Sequence, residues 1–337
     1  MERKLATVRK IDRIEPIPGA DRIELVAVDG WKVVAAKDAG YEAGHLVVYC
    51  EIDSFLPVRP EFEFLRKSSH KMMGDREGFR LRTVRLRGTL SQGLLLPVSV
   101  LGEGAEVEEG DDVTALLGIV KYEPPVPAEL AGKAKGLFPS FIPKTDEVRV
   151  QNIASEYEGL RVRSDVQFYV TEKLDGSSAT YFLKDGAFGV CSRNLELLET
   201  EGNTFWRVAR ELGLEGKMRA RGGNVALQGE LIGEGIQGNP YRIKGHTVRF
   251  FNLYDIDRRA YLPVGDLSAA AAEMGLETVP VLGHNFTLPD TVEGMLGWAD
   301  GKSALNPDTD REGVVVRSLD RSVSFKAISN RFLVNEG

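Results

Sequence analysis

The chain has 337 residues, of which 42% are hydrophobic, so its length suggests two domains that each bury a core. Its two cysteines cannot build a four-cysteine zinc site. No membrane span of roughly 18 apolar residues and no apolar leader is present, so we expect a cytoplasmic protein without a membrane partner. A formal net charge of −7 weighs against a nucleic-acid partner, although a local basic groove can exist on an acidic protein.

Residues 1–120 form a β-rich segment. The runs 24–28 and 31–35, joined by Asp29-Gly30, have the alternation and the turn residues of a β-hairpin. Further strands are predicted at 45–51 and 80–87. Short strands with glycine-rich turns and few helical periods predict a small β-barrel of OB type.

Composition changes near Glu123. Residues 121–143 are rich in proline, glycine and alanine, which predicts a linker between domains. From 144 to 337 strands alternate with helices at 204–212 and 266–274, which predicts an α+β domain. Its strands are predicted at 166–171, 179–183, 188–191, 225–227, 248–254, 313–317 and 322–326.

Lys173 lies at the predicted end of a strand, directly before the turn residues Asp175-Gly176. A lysine in that position is held in place, and a deprotonated lysine amine is a covalent nucleophile. The ordinary pKa of lysine is about 10.4, so burial or nearby cations must lower that pKa before the amine attacks. Taken alone, residues 173–176 are also consistent with a surface lysine beside a hairpin turn.

Five further motifs follow Lys173 in order. With it they resemble the nucleotidyltransferase motifs shared by DNA ligases, RNA ligases and mRNA capping enzymes, over nearly all of residues 144–337. Each motif alone is explained by a solvated or core side chain, but their order favours the functional interpretation. The motifs are Ser192-Arg193-Asn194, 228–233, 250–256, 311–316 and 324–327.

The resemblance implies a ligase-type nucleotidyltransferase fold, with antiparallel sheets and helices, and a role for each motif residue. Lys173 would form a phosphoramide with AMP, and Lys326 would contact the α-phosphate. Glu312 would bind or orient a divalent metal ion, and Glu230 would receive a ribose hydroxyl and serve the metal as well. The nucleotide site would be completed by Glu172, by Arg193 as a contact for phosphate or a strand end, and by Phe251 stacked on adenine.

The order of the domains distinguishes these families. DNA ligases and capping enzymes usually continue into a C-terminal OB domain, whereas only eleven residues follow Lys326 here. The chain therefore resembles the RNA ligase 2 family, most closely the Deinococcus-type RNA ligase with an N-terminal OB domain, to which segment 142–152 is also similar. Two positions depart from the pattern. Ile328 replaces a second lysine, so phosphate contact rests on Lys326 or on another cation such as Arg331, and Ser178 replaces an asparagine of some relatives.

Arginines cluster on the predicted strand 80–87. This strand is the best candidate for a surface that contacts phosphates, and a solvated strand face is the alternative. The resemblance adds two residues from the segment before the nucleophile. The predicted nucleic-acid contacts are Arg80, Arg82, Arg85, Arg87, Arg149 and Gln151.

The resemblance implies an ATP-dependent RNA ligase that acts in RNA repair as a monomer. With Mg²⁺ or Mn²⁺, Lys173 would take AMP from ATP and pass it to a 5′-phosphate, and a 3′-hydroxyl would then attack that end. Nicks in duplexes, with RNA on the 3′-hydroxyl side, are the implied substrate. The alternatives are a capping-type guanylyltransferase, which GTP labelling would reveal, and a non-catalytic RNA-binding protein on a decayed ligase, for which Ile328 leaves an opening. An NAD-dependent ligase is disfavoured because two cysteines cannot supply that family's zinc module.

Overall fold

The computed structural model describes residues 3–102, 104–125 and 132–335. It divides into two compact units. The first comprises the described residues up to Pro125 together with residues 333–335, and the second comprises residues 132–332. In the part of the chain that is described, no helix is long and apolar enough to cross a membrane.

The first unit consists of short strands in four small sheets. Their orders are β1-β5-β11, β2-β3-β4, β9-β10 and β12-β6-β8-β7. The predicted hairpin is present: β3 and β4 pair from Val28 opposite Trp31, and the turn residues Asp29 and Gly30 have φ angles of 47° and 80°. The strands are β1 Ala6–Lys10, β2 Arg13–Pro16, β3 Ile23–Val28, β4 Trp31–Ala36, β5 Leu46–Cys50, β6 Ser54–Pro57, β7 His70–Met73, β8 Arg76–Arg80, β9 Thr83–Leu86, β10 Thr89–Gln92, β11 Leu94–Pro97 and β12 Val120–Lys121, with one short helix, α1 Arg66–Ser69.

The core of the first unit forms where the inward faces of these strands meet. Val8, Val48, Leu56 and Phe79, from different strands, are each fully buried in one cluster. A second cluster contains Trp31 of β4 and Tyr49 of β5, which belong to different sheets. The ring centroids of these two residues are 5.3 Å apart. Alternating apolar residues on many short strands thus bury a common interior, as the β-barrel prediction requires.

The predicted strand 80–87 is two strands. β8 ends at Arg80 and β9 begins at Thr83, and the two belong to different sheets. The chain turns between them because Leu81 is buried, at 4% exposure, and its backbone bonds to Ser54 and Asp53. Sequence alternation alone does not reveal this break, because all of 80–87 fits a strand period.

The second unit contains two larger sheets. One has the order β13-β18-β17-β16-β19-β20-β21, and the other has the order β14-β24-β23-β15-β22. Pairing is antiparallel except between β14 and β24, which are parallel. The strands are β13 Ala134–Leu137, β14 Val148–Arg149, β15 Phe168–Lys173, β16 Ser177–Lys184, β17 Ala187–Cys191, β18 Leu195–Leu197, β19 Val225–Gly233, β20 His246–Asp255, β21 Ala260–Tyr261, β22 Val281–Phe286, β23 Gly313–Ser318 and β24 Ser324–Ile328.

Helices cover an outer face of each sheet. Trp206, Met218 and Leu267 come from three helices and pack with Phe250 in the core of the seven-stranded sheet. On the five-stranded sheet, apolar residues of two other helices pack on buried valines and Phe325. The helices are α2 Ala154–Arg161, α3 Thr204–Glu211, α4 Leu214–Arg221, α5 Val264–Met274, α6 Val292–Ala299 and α7 Asn330–Asn335.

Much of the predicted linker 121–143 is folded. Residues 126–131 lie outside the described part of the chain. After them, β13 extends the seven-stranded sheet by pairing with β18, and Ile142 is buried in a core cluster with Phe182. The linker predicted from the proline-rich residues 123–127 therefore extends too far along the chain. The apolar residues that follow belong to the folded second unit, because they pair or pack with residues distant in sequence.

Candidate active site

The turn after β15 carries the chain from one sheet of the second unit to the other. Lys173 is the last residue of β15 in the five-stranded sheet, and Ser177 is the first of β16 in the seven-stranded sheet. A Cβ atom on Gly176 would lie 2.5 Å from the carbonyl oxygen of Leu231 and 2.9 Å from Cγ of Glu230. Glycine is therefore required for the turn to pass this close to β19.

A cleft opens between the two sheets beside this turn, with about 490 Å³ of empty space including its mouth. Five residues predicted from sequence line it together: Glu172, Lys173, Glu230, Phe251 and Lys326. They come from four strands that are distant in sequence. The remaining lining residues are Thr145, Glu147, Thr171, Leu174, Val279, Val315 and Arg317.

Lys173 is paired with Glu312. The distance from its Nζ to Oε2 of Glu312 is 2.6 Å. Burial acts to lower the pKa of Lys173, but the negative charges of Glu312, Glu230 and Asp175 outweigh it and leave that pKa above its usual value. Lys173 is thus a protonated ammonium group beside these carboxylates, and attack requires that their effect be reduced.

Glu230 and Lys326 have pKa values displaced in opposite directions. Burial, together with the charge of Glu312, raises the pKa of Glu230 to about 8, although Lys173 opposes this rise. Burial, followed by repulsion from Lys173 and Arg149, lowers the pKa of Lys326 to about 7. Displaced pKa values of both signs in one cleft are typical of functional sites.

The pairing of β14 with β24 brings a further cation to Lys326. Arg149 lies directly opposite Lys326 in the parallel register. Ile328, which replaces the second lysine, is buried at 4% exposure, and Arg331 is exposed with its backbone N–H bonded to Asp300. Arg149, and not Arg331, is therefore the further cation whose charge acts on Lys326, in addition to Lys173.

Phe251 lies in the cleft at a β-bulge of β20. Gln228 pairs with Asn252 and Gly229 pairs with Phe250, so Phe251 is an extra residue on β20. Phe250 points into the core while Phe251, its immediate neighbour, lines the cleft. Alternation alone places these two neighbours on opposite faces. The extra residue shifts the register with β19 by one, so that Leu253, beyond the bulge, packs in the same core as Phe250.

Arg317 lies beneath Phe251. Its guanidinium carbon is 5.7 Å from the centre of the Phe251 ring, and its Nη2 donates to Oε1 of Glu147 at 2.9 Å. The side chain of Arg317 is 3% exposed. Sequence reasoning missed Arg317 and Glu147, and the available signal was a charged residue ending the apolar run 313–316.

Two buried polar atoms in the cleft have no partner among the described residues. Glu172 is 1% exposed, and its Oε2 accepts from the backbone N–H of Ala304 at 2.8 Å, whereas Oε1 accepts from no group. Likewise Nε of the buried Arg317 donates to no group. Burial raises the pKa of Glu172, although the Ser303 hydroxyl and the Ala304 N–H, which interact with the carboxylate, oppose this rise. One acceptor and one donor are therefore available to a ligand beside Phe251.

Comparison with known proteins identifies the family. A family model described as OB-fold domain matches residues 5–98, and one described as RNA ligase matches residues 166–330. A solved structure of a Naegleria gruberi RNA ligase variant with AMP and Mn is 43% identical, with a TM-score of 0.86 and coverage of 99% of each chain. The Naegleria gruberi RNA ligase with PPi is 44% identical, with a TM-score of 0.85 and the same coverage. This chain belongs to the RNA ligase family.

A third Naegleria gruberi RNA ligase structure, a variant with ATP and Mn, is 43% identical with a TM-score of 0.86, covering 98% of this chain and 99% of that one. A search of curated proteins found no match. The predicted α+β fold with an N-terminal OB domain is confirmed, as is the predicted family.

Carboxylates that could serve a metal ion are present in this RNA ligase. Within the ranges the structure describes, no group of three or more His, Cys, Asp and Glu side chains is arranged to hold a metal. Glu312 and Glu230 are near enough for the charge of one to raise the pKa of the other. One or two carboxylates, completed by phosphate oxygens and water, are the usual protein ligands of Mg²⁺, so this pair fits a metal that arrives with a nucleotide.

The predicted contact residues Arg193, Gln151 and Arg80 differ in their exposure and in their partners within the protein. Arg193 is exposed and pairs with Asp146 at 2.5 Å, and its charge opposes the rise in the pKa of Glu230. Gln151 is 1% exposed, so it offers no open face to a strand. Arg80 is bonded to Asp53 at 3.4 Å, and its guanidinium lies 4.4 Å from the ring of Tyr122, so it is occupied within the first unit. The predicted basic surface keeps the exposed residues Arg82, Arg85 and Arg87.

Proposed function

We propose that this RNA ligase uses ATP and forms a covalent lysyl-AMP on Lys173. Nζ of Lys173 attacks the α-phosphorus, the bond to the bridging oxygen breaks, and pyrophosphate leaves. An oxygen of a 5′-phosphate then attacks the AMP phosphorus and releases the lysine. Finally a 3′-hydroxyl attacks the activated 5′-phosphate, which releases AMP and joins the two ends.

The observation that carries this proposal is the charge arrangement around Lys173. Arg149 supplies positive charge where the transferred phosphate would develop negative charge, and Lys326, whose pKa is lowered to about 7, would be held in its protonated form by that phosphate. Glu312 is the carboxylate nearest the Lys173 ammonium group, and its charge favours the protonated lysine, so that loss of this charge would let the proton pass to solvent before attack. A divalent metal held by Glu312 and Glu230 would neutralise the carboxylates that now raise the pKa of Lys173, and it would withdraw charge from the phosphates.

Adenine recognition is proposed at the other end of the cleft, beside Phe251. Stacking on the Phe251 ring would position the base. The free Oε1 of Glu172 can accept from the adenine amino group, and Nε of Arg317 can donate to a ring nitrogen. These two atoms match a base that presents both a donor and an acceptor, which supports ATP as the AMP donor.

Exchange of one atom tests this recognition. Glu172→Gln can keep the bond from Ala304 through its amide oxygen, but it turns an NH₂ donor toward the base. We expect the ratio of AMP labelling from ATP to inosine-nucleotide labelling from inosine triphosphate to fall at least tenfold, since hypoxanthine carries an acceptor in place of the amino group. Parallel labelling rates with the two nucleotides measure this ratio. An unchanged ratio would remove Glu172 from base recognition.

Label transfer tests the covalent step. Protein freed of bound nucleotide is incubated with α-³²P-ATP and Mg²⁺ or Mn²⁺, beside Lys173→Ala. We expect a label that survives denaturation in the native protein and none in the variant. Label from GTP but not from ATP would favour a capping-type guanylyltransferase. No label from either nucleotide, in a folded protein, would favour the non-catalytic RNA-binding protein.

The nucleic-acid substrate that we propose is a nicked duplex with RNA on the 3′-hydroxyl side. The exposed Arg82, Arg85 and Arg87 of the OB-fold domain, together with Arg149, are proposed as its phosphate contacts. Four nicked duplexes that carry ribose or deoxyribose on either side of the nick separate the sugar requirements. Equal sealing with deoxyribose at the 3′-hydroxyl end would contradict an RNA preference.

A further inference from the structure

Arg311, the residue directly before Glu312, binds the end of helix α6. Its Nε donates to the carbonyl of Ala299 at 2.9 Å, and its Nη2 donates to those of Trp298 and Asp300 at 2.7 and 3.1 Å. The guanidinium carbon also lies 5.2 Å from the centre of the Trp298 ring. The last carbonyls of a helix have no partner within the helix and carry partial negative charge, so a planar cation with several donors is well suited to bind them.

This binding fixes the backbone at Glu312. Next to it, the carbonyl oxygen of Glu312 accepts from the N–H of Ser329 at 2.9 Å. The hydroxyl of Ser329 in turn donates to Oδ1 of Asp300, at the same helix end, at 2.6 Å. The end of α6 therefore holds Glu312 on two sides, directly through Arg311 and indirectly through Ser329.

Arg311 also closes the loop 301–311, which runs from α6 to Glu312. Its backbone N–H donates to the carbonyl of Gly301 at 2.9 Å, and Lys302 pairs with Asp310 at 2.9 Å just inside that bond. The loop supplies the N–H of Ala304 to Glu172. One arginine thus lies at the root of a loop that contacts the proposed base-binding carboxylate and ends at the carboxylate beside Lys173.

The loop reaches the nucleophile turn from a third direction. Asn306 donates to the carbonyl of Pro240 at 2.7 Å. Tyr241, which follows Pro240 in the chain, accepts through its hydroxyl from the N–H of Asp175 at 2.6 Å. Displacement of the loop would therefore reach Glu172, Glu312 and the turn after Lys173 together.

We propose that Arg311 is a positioning residue for AMP transfer: it anchors the loop 301–311 and Glu312 to the end of α6, and so sets the carboxylate geometry around Lys173. This inference rests on the proposed function. Misplacement of a reacting group by about 1 Å can cost about 100-fold in rate, so the effect belongs mainly in the rate of transfer.

Kinetics of lysyl-AMP formation test the role. We expect Arg311→Met to lower the rate constant for AMP transfer about 10- to 100-fold per folded molecule, and Arg311→Lys to recover part of that loss because it keeps the charge. Arg221→Met is the matched control and should leave the rate unchanged. Arg221 is a partly exposed arginine at the end of α4, and it pairs with Glu273 of α5. A merely structural role would reduce the amount of folded protein without changing its rate constant.

Combination with Glu312→Gln shows whether Arg311 acts through its neighbour. If it does, Arg311→Met should cost at most a few-fold in the Glu312→Gln background, because coupled residues are not additive. A full 10- to 100-fold further loss there would overturn the inference that Arg311 acts through the Glu312 carboxylate.

Hydrogen exchange gives a second readout that needs no ligase activity. In the folded protein, Arg311→Met should speed exchange at the amides of Ala304 and Ser329, and Arg221→Met should not. Unchanged exchange at both amides would overturn the anchoring even if labelling by ATP succeeds. Faster exchange in a protein that takes no AMP would instead reject the proposed function and keep the anchoring.

Discussion

At the scale of single residues, the cleft holds ionisable groups in states that water would not favour. Glu230 has a pKa of about 8 and Lys326 of about 7. A buried lysine with a lowered pKa and a buried carboxylate with a raised one both destabilise the folded protein over a range of pH. Such a cost is expected where charged side chains are held ready for phosphate and metal instead of being solvated.

The cost at Lys326 can be measured from its pH dependence. The pKa of Lys326 is lower in the folded than in the unfolded protein, so its destabilising effect is absent well above pH 10.5, grows as pH falls, and is complete below about pH 7. We expect Lys326→Met to raise the free energy of unfolding by about 2 kcal/mol at pH 6 and by much less at pH 10. Denaturant titrations at the two pH values check this difference.

Lys135→Met is the control for that measurement. Lys135 is 59% exposed and pairs with Glu196 on the same unit. Its replacement should change stability by less than about 0.5 kcal/mol at either pH. A gain from Lys326→Met that is the same at pH 6 and pH 10 would contradict the lowered pKa.

Residue chemistry was also the part of the site most open to sequence reasoning. Lys173 was predicted from its place before a turn, and Glu230 and Lys326 from the resemblance to nucleotidyltransferase motifs, and the structure brings all three to one cleft. Arg317 and Glu147 were missed because their place in the cleft depends on an ion pair between residues 170 positions apart. The contact of Arg80 with the ring of Tyr122 could not be predicted from its strand, because Tyr122 lies 42 positions further along the chain.

At the scale of elements, the turn between β15 and β16 depends on the absence of a side chain at Gly176. A Cβ there would meet the Leu231 carbonyl oxygen at 2.5 Å, a distance that real Cβ atoms do not tolerate. The other two close atoms, each at 2.9 Å, are Cγ of Glu230 and Cγ2 of Ile232, so relief of the clash would move a cleft carboxylate. The glycine therefore links backbone geometry to site geometry.

Gly176→Ala should consequently lower both stability and AMP transfer. We expect a loss of about 1–3 kcal/mol of unfolding free energy from overpacking and at least a tenfold slower formation of lysyl-AMP. Stability is measured by denaturant titration and transfer by α-³²P-ATP labelling. In contrast, Gly216→Ala in α4, where a Cβ meets nothing within 4 Å, should stabilise by about 0.5–1 kcal/mol and leave transfer unchanged. Equal behaviour of the two variants would refute the steric argument.

Elements with a strong period were predicted well, and those defined by distant partners were not. The hairpin β3–β4 has turn residues that require positive φ, and it was predicted from them. Helix α5 was predicted from its alanine-rich run. Helices α2 and α4 were missed because each buries few residues and shows little apolar pattern of its own. Their formation depends on the sheets against which they pack.

At the scale of the whole molecule, the chain divides into an OB-fold domain and a catalytic unit that contains every residue of the cleft. The order of these domains was predicted from the position of Lys173 and the β-rich first third of the chain. The linker was predicted too long, because β13 is recognised only by its pairing with β18. Composition indicates where a linker begins, but strand pairing with residues distant in sequence determines where the linker ends.

This division predicts that the two chemical stages can be separated. A protein of residues 126–337, if circular dichroism shows it to be folded, should still form lysyl-AMP. It should seal a nicked duplex at least 100-fold more slowly than the full chain, because it lacks the exposed Arg82, Arg85 and Arg87. A folded fragment that takes up no AMP would refute this division of labour.

The bulge at Phe251 restricts how β20 can change during evolution. Two adjacent phenylalanines serve different environments, Phe250 in the core and Phe251 in the cleft, and the extra residue shifts the register with β19 so that Leu253 also faces that core. Loss of one residue there would delete the bulge and leave a single aromatic ring to serve both environments. Insertions and deletions within β20 should therefore be rare among functional descendants of this chain, even where substitutions around them accumulate freely.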